Sequence, residues 1–395
     1  MKITPEQARI QNRRLVLRTI YEEGNISRAQ IARVTKLTRP TVSDVVAELI
    51  DEGLVEEVGL AESSGGRRGM LLRVLDDSRH LIGLDLGRGD FRGAVINLRG
   101  VIRNQIELPL ASKDGEAALA LVYDLIDQLI ETTDRPLLGI GIGAPGPVDV
   151  MKGVMHHAVN LNWRNIPLRD LLQERYKLPV HMANDCQVAA MAEYTFGNSV
   201  KSSKNLIVIN IGYGVGAGII INNQLVYGSP LGAGEIGHVV VAEGGQRCTC
   251  GNFGCLETLA SSRAIILRAQ DLIKKNPKSK INETIESPDE ITLDVICKAL
   301  NSDDELAQQI INEVGRSLGI AAANLVGVLG SCRILLAGSV TCFDEKLLVV
   351  IREEMNKHVL SLTAQNSEIG RASLGSNIVL LGASALLLPE ELGVF

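Results

Sequence analysis

The sequence predicts an α/β protein that begins with a small, mainly helical domain. Three helical patterns and two strand-like runs occupy residues 1–78, whereas strand-like and helix-like runs alternate along residues 79–395. The length of 395 residues exceeds what one hydrophobic core usually organises, and 46% hydrophobic with 22% charged residues is typical of a globular chain. We therefore expect two or three domains, the first of which ends near residue 78.

The sequence also indicates the cellular compartment in which the protein is expected. The longest apolar stretch, residues 206–221, is interrupted by Asn210 and four glycines, whereas a membrane-spanning helix needs about 20 apolar residues. The N-terminal segment MKITPEQARI lacks the apolar core of a signal peptide. We therefore expect a cytoplasmic protein whose seven cysteines are reduced thiols or metal ligands rather than disulfides.

Helix-boundary signals divide the first domain. The apolar side chains of residues 15–21 predict a first helix, and Ser27 with Gln30 forms a capping-box pair that begins a second helix. Thr38 can cap a third helix, because Pro40 stands in its first turn, where a missing N–H costs little. Two short helices joined by a tight turn form the helix-turn-helix pattern.

Basic residues in this domain indicate contact with nucleic acid. The net charge of the chain is −6, but residues 25–43 hold four basic and no acidic side chains. Strand-like residues 54–58 and 70–74 predict a β-hairpin wing, whose glycine-rich tip carries two arginines suited to phosphates or a narrow minor groove. The alternative is a three-helix domain that binds protein, with the two wing arginines merely solvated. The predicted contacts with operator DNA are Arg28, Thr38, Arg39, Thr41, Ser43, Arg67 and Arg68.

The remaining chain reads as layers of helices and strands. A polar stretch at residues 274–290 is interpreted as a surface insertion. We predict helices at 117–131, 168–176, 187–196, 304–329, 343–360 and 382–395. We predict strands at 80–86, 91–97, 102–108, 137–143, 180–183, 205–211, 216–221, 333–337 and 377–380.

A glycine motif at residues 141–146 matches the dinucleotide pattern G-x-G-x-x-G but lacks its context. That pattern binds a pyrophosphate only where a helix begins at once, so that the helix N-terminus faces the phosphates. Here Pro145 and Pro147, followed by Val-Asp-Val, predict a loop instead. The motif therefore does not indicate a nicotinamide-dependent enzyme.

A cluster of three cysteines and one histidine indicates a metal site. His238, Cys248, Cys250 and Cys255 are separated by 10, 2 and 5 residues, and four glycines among them let the chain fold back. Three thiolates and one imidazole complete a tetrahedral set, which is typical of structural rather than catalytic zinc. The alternative, four unliganded side chains in a loop, is disfavoured because three of the seven cysteines fall within eight residues. The sequence therefore predicts one structural Zn²⁺ ion.

Several motifs resemble those of one protein family. They are GIGIGAPGPVD at residues 139–149, ANDC and AEY within residues 183–194, and GEIGH leading to CTCGNFGCLE at residues 234–257. With these motifs the chain resembles the ROK family (repressors, open reading frames and sugar kinases), and its first domain matches the repressor branch. The resemblance implies a two-lobed actin-like/ribonuclease-H-like sugar-kinase fold. The first lobe would be residues 79–195 with 382–395, and the second lobe residues 196–381 with the zinc-binding loop.

The resemblance also implies a monosaccharide site in the cleft between the lobes. Carboxylates and amides can hold paired vicinal hydroxyls in bidentate fashion, and His238 can bind zinc through one nitrogen and a hydroxyl through the other. Taken singly, Asn162 or Glu257 is also explained as a capping or solvated residue. In the family's kinases, the residue at the position of Asp185 accepts the proton of the attacking hydroxyl. The sugar contacts implied are Asn162, Asn184, Asp185, Glu235, His238 and Glu257.

The phosphate loops depart from the pattern of the family's kinases. Those kinases carry an Asp-x-Gly-Gly-Thr loop, whereas residues 85–90 read DLGRGD, which lacks the threonine and adds a final negative charge near the phosphates. Residues 212–214 read Gly-Tyr-Gly in place of Gly-Thr-Gly, and residues 338–339 read Gly-Ser in place of Gly-Gly. Asp185 is therefore interpreted as a vestigial base of a chain that is not an enzyme.

Together these features predict a sugar-responsive transcription regulator, a repressor that a monosaccharide releases from its operator. The alternatives are an ATP-dependent sugar kinase of the ROK type and a regulator with residual kinase activity. The expected assembly is a homodimer or tetramer on a palindromic operator. The sequence leaves open which sugar binds, whether the sugar releases or promotes DNA binding, and which operator is recognised.

Overall fold

The computed structural model describes residues 4–60, 69–87, 89–198, 204–228 and 232–394. The chain divides into two compact units, Met1–Ala183 with Ala383–Phe395, and Asn184–Gly382. Each unit contains its own cluster of buried apolar side chains. Within the described ranges, no helix is long and apolar enough to cross a membrane. The finer domain boundaries expected near residues 78, 195 and 381 stay predictions.

The N-terminal part of the first unit is a winged helix-turn-helix. Strand β3 lies between the short β1 and the wing strand β2, both antiparallel to it. Helices α1, α2 and α3 bury their apolar side chains, including Ile20, Ile31 and Val46, against this sheet and one another. The elements are α1 Pro5–Glu23, β1 Ile26–Ser27, α2 Arg28–Thr35, α3 Arg39–Asp51, β2 Val55–Leu60 and β3 Met70–Val74.

The predicted helix boundaries in this domain are confirmed. The Ser27 side chain accepts the Gln30 N–H, and the Gln30 side chain accepts the Ser27 N–H, so both halves of the capping box form. Lys36 ends α2 in the left-handed conformation, with φ of 59°, and Thr38 then caps α3. Helix α1 begins ten residues before the predicted apolar run, because Thr4 forms a second capping box.

Contacts within the first unit hold the winged helix-turn-helix against the following sheet. The Tyr21 hydroxyl donates to the Leu98 carbonyl oxygen at 2.6 Å. The Arg99 guanidinium lies 3.9 Å from the centre of the Tyr21 ring and donates to the Tyr21 carbonyl oxygen. Burial raises the pKa of Tyr21 to about 12, so this hydroxyl stays a donor at physiological pH.

A five-stranded sheet forms the centre of the first unit, in the order β11-β7-β4-β5-β6. Strands β4 and β7 are parallel, whereas β4–β5 and β5–β6 are antiparallel. A second, three-stranded sheet has the order β10-β9-β8. The elements are β4 His80–Leu86, β5 Asp90–Asn97, β6 Ile102–Pro109, α4 Gly115–Glu131, β7 Leu137–Ala144, β8 Val148–Asp149, β9 Val154–Ala158, β10 Trp163–Ile166, α5 Leu168–Tyr176 and β11 Val180–Asn184.

The glycines of β7 serve backbone packing. A Cβ atom added at Gly141 would lie 1.8 Å from the Ala383 carbonyl oxygen, so this position excludes every side chain. After Ala144 the chain turns into β8 rather than into a helix, which confirms the loop predicted at Pro145 and Pro147. Close approach of two backbones therefore explains this glycine of the 141–146 motif.

A second five-stranded sheet forms the centre of the unit Asn184–Gly382, in the order β14-β13-β12-β15-β16. Strand β12 pairs parallel with β15 and antiparallel with β13. The elements are α6 Asp185–Phe196, β12 Leu206–Ile211, β13 Val215–Ile221, β14 Gln224–Leu225, α7 Glu257–Ala260, α8 Ser262–Ile273, α9 Leu293–Asn301, α10 Glu305–Leu329, β15 Arg333–Gly338, α11 Asp344–His358, α12 Ser361–Gln365, β16 Glu368–Arg371 and α13 Ile378–Ala385.

One sequence prediction in the C-terminal half is wrong, and two others are borne out in part. The strand predicted at 377–380 is the beginning of the buried helix α13, because a short apolar run does not distinguish a buried strand from a buried helix. The helix predicted at 382–395 begins earlier, within α13, and continues after it as the π-helical segment Leu388–Leu392. The predicted surface insertion 274–290 is mostly exposed, but it contributes the fully buried Ile281 to the core.

Candidate functional site

The predicted metal ligands lie together at the surface of the unit Asn184–Gly382. The ligand atoms of His238, Cys248, Cys250 and Cys255 all lie within 4.8 Å of one another. Cys248 and Cys255 are buried, whereas Cys250 is exposed and His238 is half-buried. The four residues, which span positions 238–255, thus form one compact donor set, as the spacing predicted.

The separations in this cluster fit a zinc ion. Tetrahedral zinc, with Zn–S of about 2.3 Å and Zn–N of about 2.0–2.1 Å, places two sulfurs about 3.8 Å apart and sulfur and nitrogen about 3.5 Å apart. The Cys250 and Cys255 Sγ atoms are 3.7 Å apart. The Cys248 Sγ and His238 Nδ1 atoms are 3.6 Å apart. The donor types and these two distances therefore fit a metal ion held by protein ligands.

A folded-back loop brings the cysteines to His238. The Cys248 N–H donates to the Asn252 carbonyl oxygen at 2.7 Å, and Val240 forms an antiparallel bridge with Cys255. Gly254 adopts a φ of 73°, and a Cβ atom there would lie 1.8 Å from the Ala242 carbonyl oxygen. The loop can thus close only with glycine at position 254, which explains one of the glycines between the ligands.

The two ring nitrogens of His238 face different groups. Nδ1 points towards Cys248, whereas Nε2 lies 3.9 Å from the Glu235 Oε2 atom. Both residues belong to one tight turn, since Ile236–His238 is a 3₁₀ helix directly after Glu235. A metal on Nδ1 would fix the ring and leave Nε2 available to a ligand beside Glu235.

Asn184 and Asp185 lie at the N-terminus of α6. The Asn184 side chain caps this helix by accepting the Cys186 N–H at 2.9 Å, and Asp185 accepts the same N–H at 2.8 Å. Burial, followed by the charges of Asp185 and Glu235, raises the pKa of the Cys186 thiol well above its usual value. The charges of Asp185 and Glu235 therefore both act on the same thiol.

Glu257 connects the metal loop to strand β13. It follows Cys255 by two residues, and its Oε2 atom accepts the Val215 N–H at 3.2 Å. A Cβ atom at Gly214 would lie 2.8 Å from the same oxygen, so the glycine leaves room for the carboxylate. Glu257 is thus a positioned carboxylate, half-buried beside the loop that the metal ligands form.

The sequence analysis did not predict that residues 215–218 of β13 pack against the candidate sugar-binding residues. A Cβ atom at Gly216 would lie 2.6 Å from the Cys186 Sγ atom, and one at Gly234 would lie 1.8 Å from the Ala217 carbonyl oxygen. A Cβ atom at Gly237 would lie 2.2 Å from the Val215 carbonyl oxygen. Strand β13 therefore packs directly against α6, the Glu235 turn and Glu257. The glycines at 216, 234 and 237 were the available signal.

Asn162 belongs to the first unit, Met1–Ala183 with Ala383–Phe395. It is exposed, follows the 3₁₀ turn Val159–Leu161 and adopts a φ of 52°. The neighbouring Trp163 is buried, and its indole N–H donates to the Gly115 carbonyl oxygen at 2.9 Å. The structure thus places five of the six predicted sugar contacts in the unit Asn184–Gly382 and Asn162 on a well-anchored turn of the other unit.

Three side chains in the predicted phosphate loops form hydrogen bonds or ion pairs with other residues of the chain. Asp85 is buried and forms an ion pair with Arg92 on the neighbouring strand, and burial raises the pKa of its carboxyl. The Tyr213 hydroxyl accepts a hydrogen bond from Arg263 at 3.1 Å. The Ser339 hydroxyl donates to the Ile211 carbonyl oxygen. Arg88 lies outside the described residues.

The predicted DNA contacts fall into four groups. Arg39 and Ser43 are exposed on the first turns of α3. Thr38 and Thr41 share a hydrogen bond of 2.8 Å between their hydroxyls. Arg28 forms an ion pair with Glu57 of the wing at 2.7 Å, so part of its charge is balanced within the fold. Arg67 and Arg68 lie outside the described residues, so their contacts stay predictions.

Comparisons with known proteins assign the chain to a family. Residues 81–390 match the ROK family, and residues 12–69 match the MarR family. The chain belongs to the ROK family, and it carries a MarR-like winged helix at its N-terminus. The predicted fold class, a winged helix-turn-helix followed by an actin-like/ribonuclease-H-like body, is confirmed by these matches and by the structural neighbours.

Relatives include regulators and kinases. The chain is 36% identical to a xylose repressor of Caldicellulosiruptor bescii, over 96% of each chain. It is 33% identical to a glucokinase of Halalkalibacterium halodurans, over 79% of this chain and 96% of the glucokinase. A crystal structure of a ROK family transcriptional regulator, a homolog of the Escherichia coli MLC protein, superposes with a TM-score of 0.87 at 27% identity, over 98% of each chain.

Proposed function

We propose that this protein is a monosaccharide-responsive transcriptional repressor with a structural zinc ion and no kinase activity. The observation that carries the proposal is that a winged helix-turn-helix, with Arg39 and Ser43 exposed at the start of α3, precedes the ROK body in one chain. The similarity to a xylose repressor spans 96% of the chain and so includes both the winged helix-turn-helix and the ROK body. The similarity to a glucokinase spans 79% of the chain.

The sugar-binding proposal rests on the carboxylates around β13. Asp185, Glu235 and Glu257 offer oxygen acceptors, and the Nε2 atom of His238 faces the Glu235 side chain. Vicinal hydroxyls need paired acceptors and donors of this kind. Asn162 stays a predicted contact that the family resemblance implies. We expect a monosaccharide to bind here and to weaken the affinity for the operator, which by linkage weakens sugar binding to the DNA complex equally.

Zinc fits the donor set of His238, Cys248, Cys250 and Cys255. Four protein ligands would leave no open coordination position, so the ion would hold the loop and supply no catalysis. By fixing His238 through Nδ1, the ion would also set the orientation of the Nε2 atom towards the sugar. The ion would therefore act on sugar affinity through the position of His238 and of the loop that leads to Glu257.

A functional assay separates the repressor from its alternatives. Selection from a random DNA library identifies the operator, and fluorescence anisotropy then measures its affinity with and without monosaccharides chosen by a thermal-shift panel. A sugar that binds the native state raises its stability by mass action. We expect one class of monosaccharide to raise the melting temperature and to lower operator affinity. A protein that selects no DNA sequence would contradict the proposal.

The DNA interface predicts a specific effect of Arg39. We expect Arg39→Ala to weaken operator binding by about 5- to 150-fold, because a side chain at a base edge contributes about 1–3 kcal/mol. Arg9→Ala is the matched control, since Arg9 is exposed on α1 and pairs with Glu48 away from the start of α3. Anisotropy titrations at two salt concentrations measure both variants. Equal losses for Arg9→Ala and Arg39→Ala would refute the recognition-helix assignment.

The absence of kinase activity is a further prediction. Phosphoryl transfer needs a held and neutralised γ-phosphate, but Asp85 is paired with Arg92, and Tyr213 stands where the kinases carry threonine. We expect a coupled assay with ATP and the best-binding sugar to show turnover far below the rate of about one per second or more that working enzymes reach. Turnover near that rate, lost in Asp185→Asn, would establish the kinase alternative.

A further inference from the structure

A buried amide side chain joins α6 to the loop that leads to Glu235. Gln187 stands three residues after Asn184, in the first turn of α6, and is only 3% exposed. Its Oε1 atom accepts the Asn184 N–H at 3.3 Å, and its Nε2 atom donates to the Tyr227 carbonyl oxygen at 3.2 Å. A buried amide needs partners for both its acceptor and its donor. Here the acceptor bonds within the helix and the donor bonds outside it.

The Tyr227 carbonyl oxygen lies where this loop closes on itself. It accepts the Ala233 N–H at 2.9 Å in addition to the side-chain amide. Gly228 has a φ of 75°, and a Cβ atom there would lie 2.4 Å from the Ala233 nitrogen, so the two sides of the loop touch. We call residues 227, 228 and 233 the loop neck. Glu235 follows the neck by two residues.

Backbone hydrogen bonds attach both ends of the loop to β13. The Val226 N–H donates to the Ile219 carbonyl oxygen at 2.8 Å. On the other side, the Ala217 N–H donates to the Gly234 carbonyl oxygen, also at 2.8 Å. The ends of the loop are thus held on the strand, whereas Gln187 holds the loop neck on α6.

Helix capping alone does not explain the amide of Gln187. A capping box needs only the acceptor oxygen, which glutamate supplies as well as glutamine does. A glutamate carboxylate would face the Tyr227 carbonyl oxygen with a second acceptor, whereas the amide donates to it. The donor half of the side chain therefore serves the loop neck and not the helix.

We propose that Gln187 is a positioning residue of the sugar site. It holds the N-terminus of α6, with Asn184 and Asp185, at a fixed separation from the turn that carries Glu235. A monosaccharide presents its hydroxyls at fixed distances, so groups on two elements bind it together only where those elements are held in matching positions. Because Gln187 is buried, it acts through these residues and does not touch the sugar. The inference rests on the proposed function, since it assigns a role within that same sugar site.

Gln187→Glu tests the donor half of the side chain. We expect sugar affinity, measured by calorimetry, to fall by about tenfold, because one hydrogen bond between buried groups is lost. The cap of α6 remains, so the operator affinity without sugar should stay near wild type. Gln7→Glu is the matched control, since Gln7 holds the same capping-box position of α1 but is exposed. Its sugar affinity should not change.

A double-mutant cycle distinguishes positioning from a general loss of stability. If Gln187 acts through the Glu235 turn, adding Gln187→Glu to Glu235→Ala should lower sugar affinity by less than about twofold. Tenfold losses in both backgrounds would show a general structural effect and overturn the proposal, as would wild-type sugar affinity in Gln187→Glu. Far-UV circular dichroism establishes that the variants are folded. If Gln187→Glu fails that test, Gln187→Met, of similar length and without charge, takes its place in the cycle.

Hydrogen exchange separates failure of this proposal from failure of the proposed function. The Ala233 amide should exchange at least about fivefold faster in Gln187→Glu than in wild type, in the absence of any sugar, because the loop neck then opens more easily. Unchanged exchange of this amide would overturn the role of Gln187 even where the wild type binds sugar. A wild-type protein that binds no monosaccharide of the thermal-shift panel would instead refute the proposed function, and the sugar site with it.

Discussion

Replacing one metal ligand, Cys255→Ala, is expected to remove the zinc and with it most of the sugar affinity. Cys255 is fully buried, and its Sγ atom lies 3.7 Å from that of Cys250 and 3.5 Å from the His238 carbonyl oxygen. Without the ion, the His238 ring and the loop that leads to Glu257 would lose the bond that joins them, and only the backbone contacts of the loop and the Val215 hydrogen bond of Glu257 would remain. We expect zinc content to fall from about one to below about 0.1 per chain. Sugar affinity should fall by at least about tenfold, since even outer-shell changes cost about 10–100-fold in metal affinity or activity.

Cys297→Ser is the matched control for this variant. Cys297 is half-buried on α9, away from the metal cluster, and its thiol donates to the Cys342 carbonyl oxygen, which a serine hydroxyl can also do. Plasma emission spectrometry measures zinc, and isothermal titration calorimetry measures sugar binding. Less than about half an equivalent of zinc in freshly purified wild-type protein would count against the site. Normal sugar affinity in zinc-free Cys255→Ala would show that the metal ion does not contribute to sugar binding.

Glu257→Ala is expected to give a repressor that binds its operator but no longer responds to sugar. A hydrogen bond to a charged group contributes about 1.5–3 kcal/mol, and tenfold in affinity corresponds to about 1.4 kcal/mol. Loss of a carboxylate that holds sugar hydroxyls should therefore weaken sugar binding by about 100-fold. Operator affinity without sugar should stay near wild type, because the winged helix-turn-helix belongs to the other compact unit.

Two further variants distinguish a sugar contact from a structural role of Glu257. Glu257→Gln keeps an oxygen that can accept the Val215 N–H but lacks the charge, so an intermediate sugar affinity is expected. Glu353→Ala removes an exposed carboxylate on α11 and should change nothing. The readouts are sugar titrations by calorimetry and operator release by anisotropy. A wild-type response in Glu257→Ala would place the sensor elsewhere.

The distance between interacting residues separates what the sequence predicted from what it did not. The beginnings of α2 and α3 follow from Ser27, Gln30 and Thr38, whose side chains bond to backbone groups three residues away. The grouping of three cysteines with His238 could also be predicted from the sequence, because such residues at such spacing are typical of a shared metal ion.

Arg28 shows a limit of such reasoning. Its place in a basic segment predicts a DNA contact, but the structure pairs it with Glu57, which lies 29 residues away. Nothing near Arg28 in the sequence indicates that partner. The pairing arises because the fold brings Glu57 of the wing strand β2 to Arg28 at the beginning of α2. A charge that the sequence assigns to DNA is thus partly balanced within the domain.

The sequence by itself determined the helix-turn-helix boundaries and the residue types of the candidate metal cluster. Tertiary structure alone decided that Ile378–Ala385 is a helix, that β13 donates a backbone N–H to Glu257, and that Arg28 pairs with Glu57. The physical reason is that capping and metal coordination depend on residue types at short spacing. Burial depends on which distant segments pack together, and an apolar run carries the same pattern in a strand, a buried helix or an open surface.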